Sequence, residues 1–157
     1  MKKPIVVIGL GEMGEYFAGG FLKVGYPVVP VLRGDSLVSL FEKGIDPALV
    51  LVAVGEKDFD GVLKNLPKAW YDRLVFLQNE LLPVDWRPYG VEQPTMVVVW
   101  FDKKKGRPIV NVLPNQVAGP LAPLVREALL KQGTPTFEVP LDRIDYEMVR
   151  KNLYILT

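Results

Sequence analysis

The chain has 157 residues, 19 lysines and arginines against 18 aspartates and glutamates, and neither cysteine nor histidine. These absences exclude disulfides, thiolate nucleophiles, His- or Cys-based metal sites and Ser-His-Asp chemistry. We therefore expect no metal, and any proton transfer must be carried out by lysine, tyrosine, aspartate, glutamate or a bound water. A net charge of +1 and 49% hydrophobic residues indicate a single domain, residues 1–157, that binds neither nucleic acid nor a membrane. With no signal peptide or membrane-length apolar run, we expect a cytoplasmic protein.

The first half alternates short apolar runs with amphipathic segments. Strands are predicted at residues 5–8, 28–32, 49–54 and 74–77, and helices at 12–24, 36–43 and 57–66. Pro30 lies in the second predicted strand, where it favours an edge or irregular position. The alternation predicts right-handed βαβ units, and so an α/β, Rossmann-type, doubly wound, mostly parallel sheet in a three-layer arrangement.

The second half has a different pattern. Residues 95–101 and 108–113 are strand-like and are joined by a short polar connector, which predicts an antiparallel hairpin that extends the sheet. A helix is predicted at 120–132, a strand at 134–139 and a last helix from 141 to the terminus. The connector contains Lys103, Lys104, Lys105 and Arg107 and is interpreted as a solvated turn that protects a sheet edge.

A glycine-rich loop links the first predicted strand to the first predicted helix. Its residues are Gly9, Leu10, Gly11, Glu12, Met13 and Gly14. In a dinucleotide site the first glycine permits the tight turn, the second lets the backbone approach a pyrophosphate, and the third allows close packing of helix on strand. The helix N-terminus adds amide donors and a partial positive charge. The loop therefore predicts a dinucleotide-binding site formed by these six residues.

The end of the second predicted strand indicates which dinucleotide is preferred. NAD-selective folds place an acid about 20 residues past the loop, to receive the ribose hydroxyls. Here Arg33 holds that position, where its guanidinium can bind a 2′-phosphate, and Ser36 can add a hydroxyl donor. A shift of two residues would instead give the acidic role to Asp35, and Arg33 would then be a solvated loop charge. We predict NADP as the cofactor, with NAD as the alternative.

Two further strand ends point to the same crevice. Ligands of open α/β sheets lie beyond the carboxyl ends of the strands. Val54 and Gly55 end the third predicted strand, where they can border the cofactor. Asn79 follows the fourth, where its amide can contact the nicotinamide ribose or a substrate hydroxyl.

Together these residues resemble the 6-phosphogluconate dehydrogenase-like superfamily of NAD(P)-binding proteins. The loop from Gly9 to Gly14 is similar to that of 3-hydroxyisobutyrate and 6-phosphogluconate dehydrogenases. Arg33, the pair Gln78-Asn79, the antiparallel strands and Lys151 are more similar to the N-terminal domain of ketopantoate reductase. The resemblance covers essentially the whole chain, and it implies hydride transfer between NADP(H) and the carbonyl carbon of a small 2-oxo acid or related compound.

The resemblance also assigns catalytic roles. It implies that Lys151 is the catalytic acid and that Asn79 assists on the nicotinamide side. A lysine near a carbonyl can polarise the oxygen and donate a proton as hydride arrives at carbon. The alternative interpretation places Lys151 on the exposed side of the last helix, where most lysines lie.

Other features favour a dinucleotide-binding sensor or regulatory module without turnover. Glu80 stands where the family has glycine, and Ile155 stands where it has a second asparagine. The chain also ends where the family's helical C-terminal domain would begin, so that domain is expected to be absent. A third alternative is a Rossmann scaffold that binds no dinucleotide and serves protein contacts.

The last predicted helix carries the prediction of a homodimer. Its apolar residues are Ile144, Met148, Leu153, Ile155 and Leu156. Apolar side chains on a terminal helix are typical of a self-association surface.

Overall fold

A seven-stranded sheet forms the centre of the computed structural model, which describes residues 2–78 and 83–156 without the side chains of 155 and 156. Its strands are β1 (Ile5–Ile8), β2 (Val28–Val31), β3 (Leu49–Val52), β4 (Leu74–Phe76), β5 (Thr95–Val98), β8 (Asn115–Ala118) and β9 (Thr136–Glu138). Their order is β2-β1-β3-β4-β5-β8-β9, and the first five are parallel. A separate two-stranded ribbon joins β6 (Phe101–Asp102) to β7 (Val110–Asn111).

Helices cover both faces of this sheet, as predicted. They are α1 (Glu12–Val24), α2 (Leu37–Glu42), α3 (Glu56–Asn65), α4 (Pro83–Trp86), α5 (Ala122–Lys131) and α6 (Leu141–Leu156), with 3₁₀ turns at Lys68–Arg73 and Arg87–Tyr89. In the described part of the chain, no helix is long and apolar enough to cross a membrane.

The core has two halves because neighbouring residues of each strand point to opposite faces. Ile5 and Val7 pack with Phe17 of α1 and Leu129 of α5. On the other face, Val6 packs with residues that include Leu63 of α3, Trp70 and Ile144 of α6. The predicted α/β, three-layer, doubly wound arrangement is therefore confirmed.

The first half of the sheet follows the sequence closely. Every residue of β1 and β3 is buried, as expected for strands covered on both faces. Strand β2 is the outermost strand on its side, and Pro30 lies opposite Val7 of β1. The edge position that Pro30 predicted is confirmed.

In the second half, the predicted antiparallel hairpin forms only as the small ribbon of β6 and β7, and it does not extend the main sheet. The antiparallel partner of β5 is β8, at Asn115–Ala118, whereas the predicted strand at 108–113 contributes only β7 to the small ribbon. The prediction did not include β8, whose first two residues, Asn115 and Gln116, are polar. Their side chains are buried and hydrogen-bonded: Asn115 Oδ1 accepts from Trp100 N at 2.7 Å, and Gln116 Oε1 accepts from Trp100 Nε1 at 2.9 Å.

Helix α6 packs one face on the sheet, which corrects part of the predicted self-association surface. Ile144 and Met148 are buried in the core, so they are not available to a second copy. Leu153 is exposed, together with Tyr146 and Val149, which the prediction did not include. Self-association itself stays a prediction.

Candidate functional site

The turn between β1 and α1 has the shape that the glycine pattern predicted. Gly9 has φ +94°, in the left-handed region, and a Cβ there would lie 2.8 Å from the carbonyl oxygen of Ala53. A Cβ on Gly14 would overlap the carbonyl oxygen of Gly9. A Cβ on Gly11 would meet no atom within 4 Å. Packing therefore requires glycine at the first and third positions, whereas the second faces open space.

This open space is part of a cavity of about 730 Å³ at the carboxyl ends of β1, β2 and β3. The strand order changes direction between β1 and β3, and that is where ligands bind in open α/β sheets. The predicted cofactor residues that line the cavity are Gly9, Leu10, Gly11, Arg33, Ser36, Val54 and Gly55. The fold therefore brings together residues from three separate strand ends.

A smaller cavity of about 200 Å³ continues the crevice toward β4. It shares Ala53, Val54 and Gly55 with the larger cavity and adds Met13, Leu77 and Gln78. The two cavities are therefore neighbours, one beside β2 and one beside β4, and they share the end of β3. An elongated ligand can lie across the loop and reach both.

Arg33 extends across the mouth of the larger cavity. Its side chain is 86% exposed, and its Nη2 lies 3.2 Å from Oδ2 of Asp58 in the first turn of α3. Asp35 also lines this cavity, but its Oδ2 already accepts a hydrogen bond from the backbone N–H of Leu32 at 2.8 Å. This arrangement favours Arg33 over Asp35 as the group presented to a ligand.

Ser36 caps helix α2. Its Oγ accepts a hydrogen bond from Ser39 N at 3.1 Å. The hydroxyl hydrogen of Ser36 is not used by that bond and can be donated into the cavity that Ser36 lines.

Helix α1 begins without a side-chain cap, since its N-cap is Gly11. The first backbone amides of the helix therefore remain as donors beside the glycine loop. Glu12, the first residue of the helix, forms an ion pair with Lys103, whose Nζ lies 3.3 Å from Glu12 Oε2. The prediction did not connect these two residues, which are 91 positions apart.

Gln78 is a site residue whose role the sequence did not indicate. Its side chain is buried, and its Nε2 donates to the carbonyl oxygens of Val52 and Val54, each at 2.9 Å. Its Oε1 accepts from Leu77 N at 3.1 Å. The amide therefore joins the ends of β3 and β4 and shapes the floor of the smaller cavity. In the sequence, the position of this glutamine just after a buried strand was the feature that could have indicated its role.

Asn79 and Glu80 lie outside the described residues, as does the side chain of Ile155. The predicted role of Asn79 on the nicotinamide side therefore stays a prediction. So does the interpretation of Glu80 and Ile155 as departures from the catalytic pattern.

Lys151 lies on the face of α6 that packs on the sheet. It follows the buried Ile144 and Met148 at i, i+4 and i+7, and it is itself partly buried. The partial burial of Lys151 therefore does not match a fully exposed position, and its catalytic role stays a prediction. Burial disfavours the ammonium form and lowers the pKa of Lys151 to about 8.

The lowered pKa predicts a pH-dependent stability. The ordinary lysine pKa of 10.5 applies to the unfolded chain, and the folded value is about 8. As the pH falls from about 10.5 to about 8, the unfolded chain takes up this proton first, so the free energy of unfolding decreases across that window. Below about pH 8 both states are protonated and the loss is complete.

Lys151→Met is expected to remove this slope. Urea unfolding between about pH 7 and 11 measures this slope. Lys131→Met, at an exposed position on α5, is the matched control. A slope that persists in Lys151→Met would contradict the prediction.

Comparison with known proteins finds the same fold in several solved structures. No protein-family model matches the sequence, and no curated protein sequence matches it. The 2-dehydropantoate 2-reductase from Methylococcus capsulatus superposes with a TM-score of 0.62 at 16% identity, over 87% of this chain and 56% of that one. D-mandelate dehydrogenase in complex with NADH gives 0.63 at 16% identity, over 96% and 58%.

A reductive aminase from Aspergillus terreus, solved with NADPH, gives a TM-score of 0.59 at 14% identity. It covers 99% of this chain and 62% of that one, so the chain spans about three fifths of the length of these structures. At these identities the similarity establishes the fold. The predicted resemblance to ketopantoate reductase, which is 2-dehydropantoate 2-reductase, is confirmed at that level.

Proposed function

We propose that this chain is an NADP(H)-binding domain of residues 1–157 and acts as a reductase of the ketopantoate reductase type. The proposal rests mainly on the open space beside Gly11, which belongs to a cavity of about 730 Å³. Packing requires glycine at Gly9 and Gly14 on either side, whereas nothing in the described part of the fold requires it at Gly11. The solved neighbours with NADH and NADPH support a nicotinamide dinucleotide. When bound, it would supply hydride to a small 2-oxo acid or related carbonyl compound.

Different residues along the crevice would bind different parts of the dinucleotide. The free amides at the start of α1 would donate to the diphosphate, which the missing Cβ of Gly11 allows to approach. The larger cavity, with Leu10 and Ser36, would receive the adenosine half. The smaller cavity, with Met13 and Gln78, would border the nicotinamide half.

Preference for NADP rests on the charge at the mouth of the larger cavity. Arg33 is the exposed cation there, whereas the carboxylate of Asp35, which also lines the cavity, is engaged by the backbone N–H of Leu32. A guanidinium binds a phosphate through paired charge-assisted hydrogen bonds, whereas it gains little from two ribose hydroxyls. To bind a 2′-phosphate, Arg33 would exchange the carboxylate of Asp58 for the phosphate.

Arg33→Ala is expected to weaken NADPH binding by roughly tenfold and to leave NADH binding unchanged, because only NADPH carries the 2′-phosphate. Nucleotide fluorescence titration measures both affinities. A parallel titration with 2′,5′-ADP and 5′-ADP isolates the phosphate contribution. Lys131→Ala, which removes an exposed cation on α5, is the control. Equal binding of NADH and NADPH to the wild-type protein, or equal losses in Arg33→Ala, would refute the NADP preference.

Lys151 is the acid that this proposal assigns to proton transfer. A pKa near 8 suits the role, since a catalytic group works best when its pKa lies close to the working pH. Among the described residues, Lys151 lines neither cavity, so the assignment rests on the resemblance to ketopantoate reductase and on this pKa. In reduction, the ammonium would polarise the carbonyl oxygen and donate its proton as hydride reaches the carbon.

A dinucleotide sensor without turnover is the second candidate. Among the described residues that line the smaller cavity, Glu56 carries the only ionisable side chain, and neither a lysine nor a tyrosine lines it. NADPH consumption with a panel of 2-oxo acids separates the two functions. Turnover supports the reductase, whereas NADPH binding without turnover on any of them supports the sensor.

A further inference from the structure

The ribbon of β6 and β7 is anchored on helix α1. Phe101, the first residue of β6, is buried, and its ring lies 4.9 Å from that of Tyr16 and 6.3 Å from that of Phe17, measured between centroids. These aromatic contacts hold the start of the ribbon against the first half of α1. The basic connector that follows β6 is thereby brought close to the glycine loop.

Lys103 is the residue of this connector that reaches the loop. Its Nζ lies 3.3 Å from Oε2 of Glu12 and also donates to the carbonyl oxygen of Lys104 at 3.1 Å. The side chain of Lys103 is 24% exposed, whereas that of Lys104 is 66% exposed. Lys103 is therefore held in place by two partners, and the predicted solvated turn does not describe it.

The ion pair between Lys103 and Glu12 reduces the negative charge at the start of α1. Glu12 and Glu15 both lie in the first turn of this helix, where carboxylates stabilise the helix dipole. The same carboxylates repel a diphosphate bound at the glycine loop. A cation on Glu12 cancels the nearer of the two charges and holds its carboxylate toward the ribbon.

We propose that Lys103 is a positioning residue that neutralises Glu12 and so makes the glycine loop able to accept a diphosphate. This inference rests on the proposed function, because it concerns the same loop. In it, Lys103 acts through Glu12 and not by touching the phosphate. The basic connector thereby has a role in nucleotide binding, although it lies far from the loop in sequence.

The test measures NADPH and ADP affinities for four variants at low and high salt. Lys103→Met is expected to bind both nucleotides about three- to tenfold more weakly at low salt, with a smaller loss at high salt, because an uncompensated carboxylate then faces the diphosphate. Lys103→Gln, which keeps a donor for the Lys104 carbonyl, should show the same loss. The double variant Lys103→Met with Glu12→Gln should regain wild-type affinity to within about twofold.

Lys104→Met is the matched control, because it removes a neighbouring cation that pairs with Asp102 at 3.8 Å and should bind as the wild type does. Unchanged affinity in both Lys103 variants would overturn the inference, and so would a double variant that stays weak, which would indicate direct phosphate contact. If the wild-type protein binds neither NADPH nor ADP, the proposed function and the inference both fail. If the wild type binds and the variants do not differ, only the inference fails.

Discussion

Gly14→Ala is expected to destabilise the fold by at least about 2–3 kcal/mol and to abolish dinucleotide binding. The new methyl group would overlap the carbonyl oxygen of Gly9, which belongs to backbone that cannot turn away as a side chain does. Relief requires α1 to move away from β1, and this movement also displaces the amides that would hold a diphosphate. Thermal unfolding should show a loss of roughly 5–10 °C in melting temperature.

Gly61→Ala is the matched control for stability. Gly61 lies in helix α3, is exposed, and a Cβ there would meet no atom within 4 Å. This change should stabilise the protein by about 0.5–1 kcal/mol, because alanine favours the helix more than glycine does. A melting temperature unchanged in Gly14→Ala would mean that the loop and helix are not packed as described.

Gly11→Ala is expected to separate binding from folding. Gly11 has φ −73° and ψ −168°, which alanine adopts without strain, and its Cβ would point into open space. The free energy of unfolding should therefore change by no more than about 1 kcal/mol, the cost of a poorer N-cap. NADPH affinity should fall between about tenfold and a hundredfold, because the methyl group takes the space that the diphosphate needs.

Calorimetric titration of NADPH and circular dichroism of the same Gly11→Ala sample measure both parts of this prediction. The comparison with Gly14→Ala gives the contrast, since one glycine is required by packing and the other by the ligand. Wild-type affinity in a folded Gly11→Ala protein would show that no phosphate approaches this turn, and would remove the main support for dinucleotide binding.

The first half of the fold could be predicted because local and global signals agree there. The strand Ile5–Ile8 is a continuous β-branched run that ends in a glycine turn, and it is buried on both faces. Helix α1 buries Phe17 and Phe21 at helical spacing and ends at Gly25, which has φ +99°. The β-branched run is typical only of a buried strand, and the helical spacing followed by glycine is typical of a helix and its end. The sequence of this half therefore has one structural interpretation.

The second half could not be predicted in the same way, because tertiary contacts override local preference there. Strand β8 begins with Asn115, a residue typical of turns, which is fully buried. Its Nδ2 donates to the hydroxyl of Thr136 at 3.1 Å and its Oδ1 accepts from Trp100 N at 2.7 Å. These partners come from 21 and 15 residues away, and no pattern within the strand indicates them.

The site shows the same division. The roles of Gly9 and Gly14 follow from backbone geometry that a short motif encodes, so the structure matches the prediction at both. The ion pair of Arg33 with Asp58 and that of Glu12 with Lys103 join distant segments, and charge alone does not select those partners. Residue types therefore indicate the kind of site, whereas the fold determines which charges face each other.

The amide of Gln78 has a consequence for binding energetics. Because it already bonds the carbonyl oxygens of Val52 and Val54, the ends of β3 and β4 are held at a constant separation before any ligand arrives. The conformational entropy of this edge is lost during folding and not during association. A ligand that contacts this preorganised floor would keep nearly the full favourable free energy of those contacts as affinity.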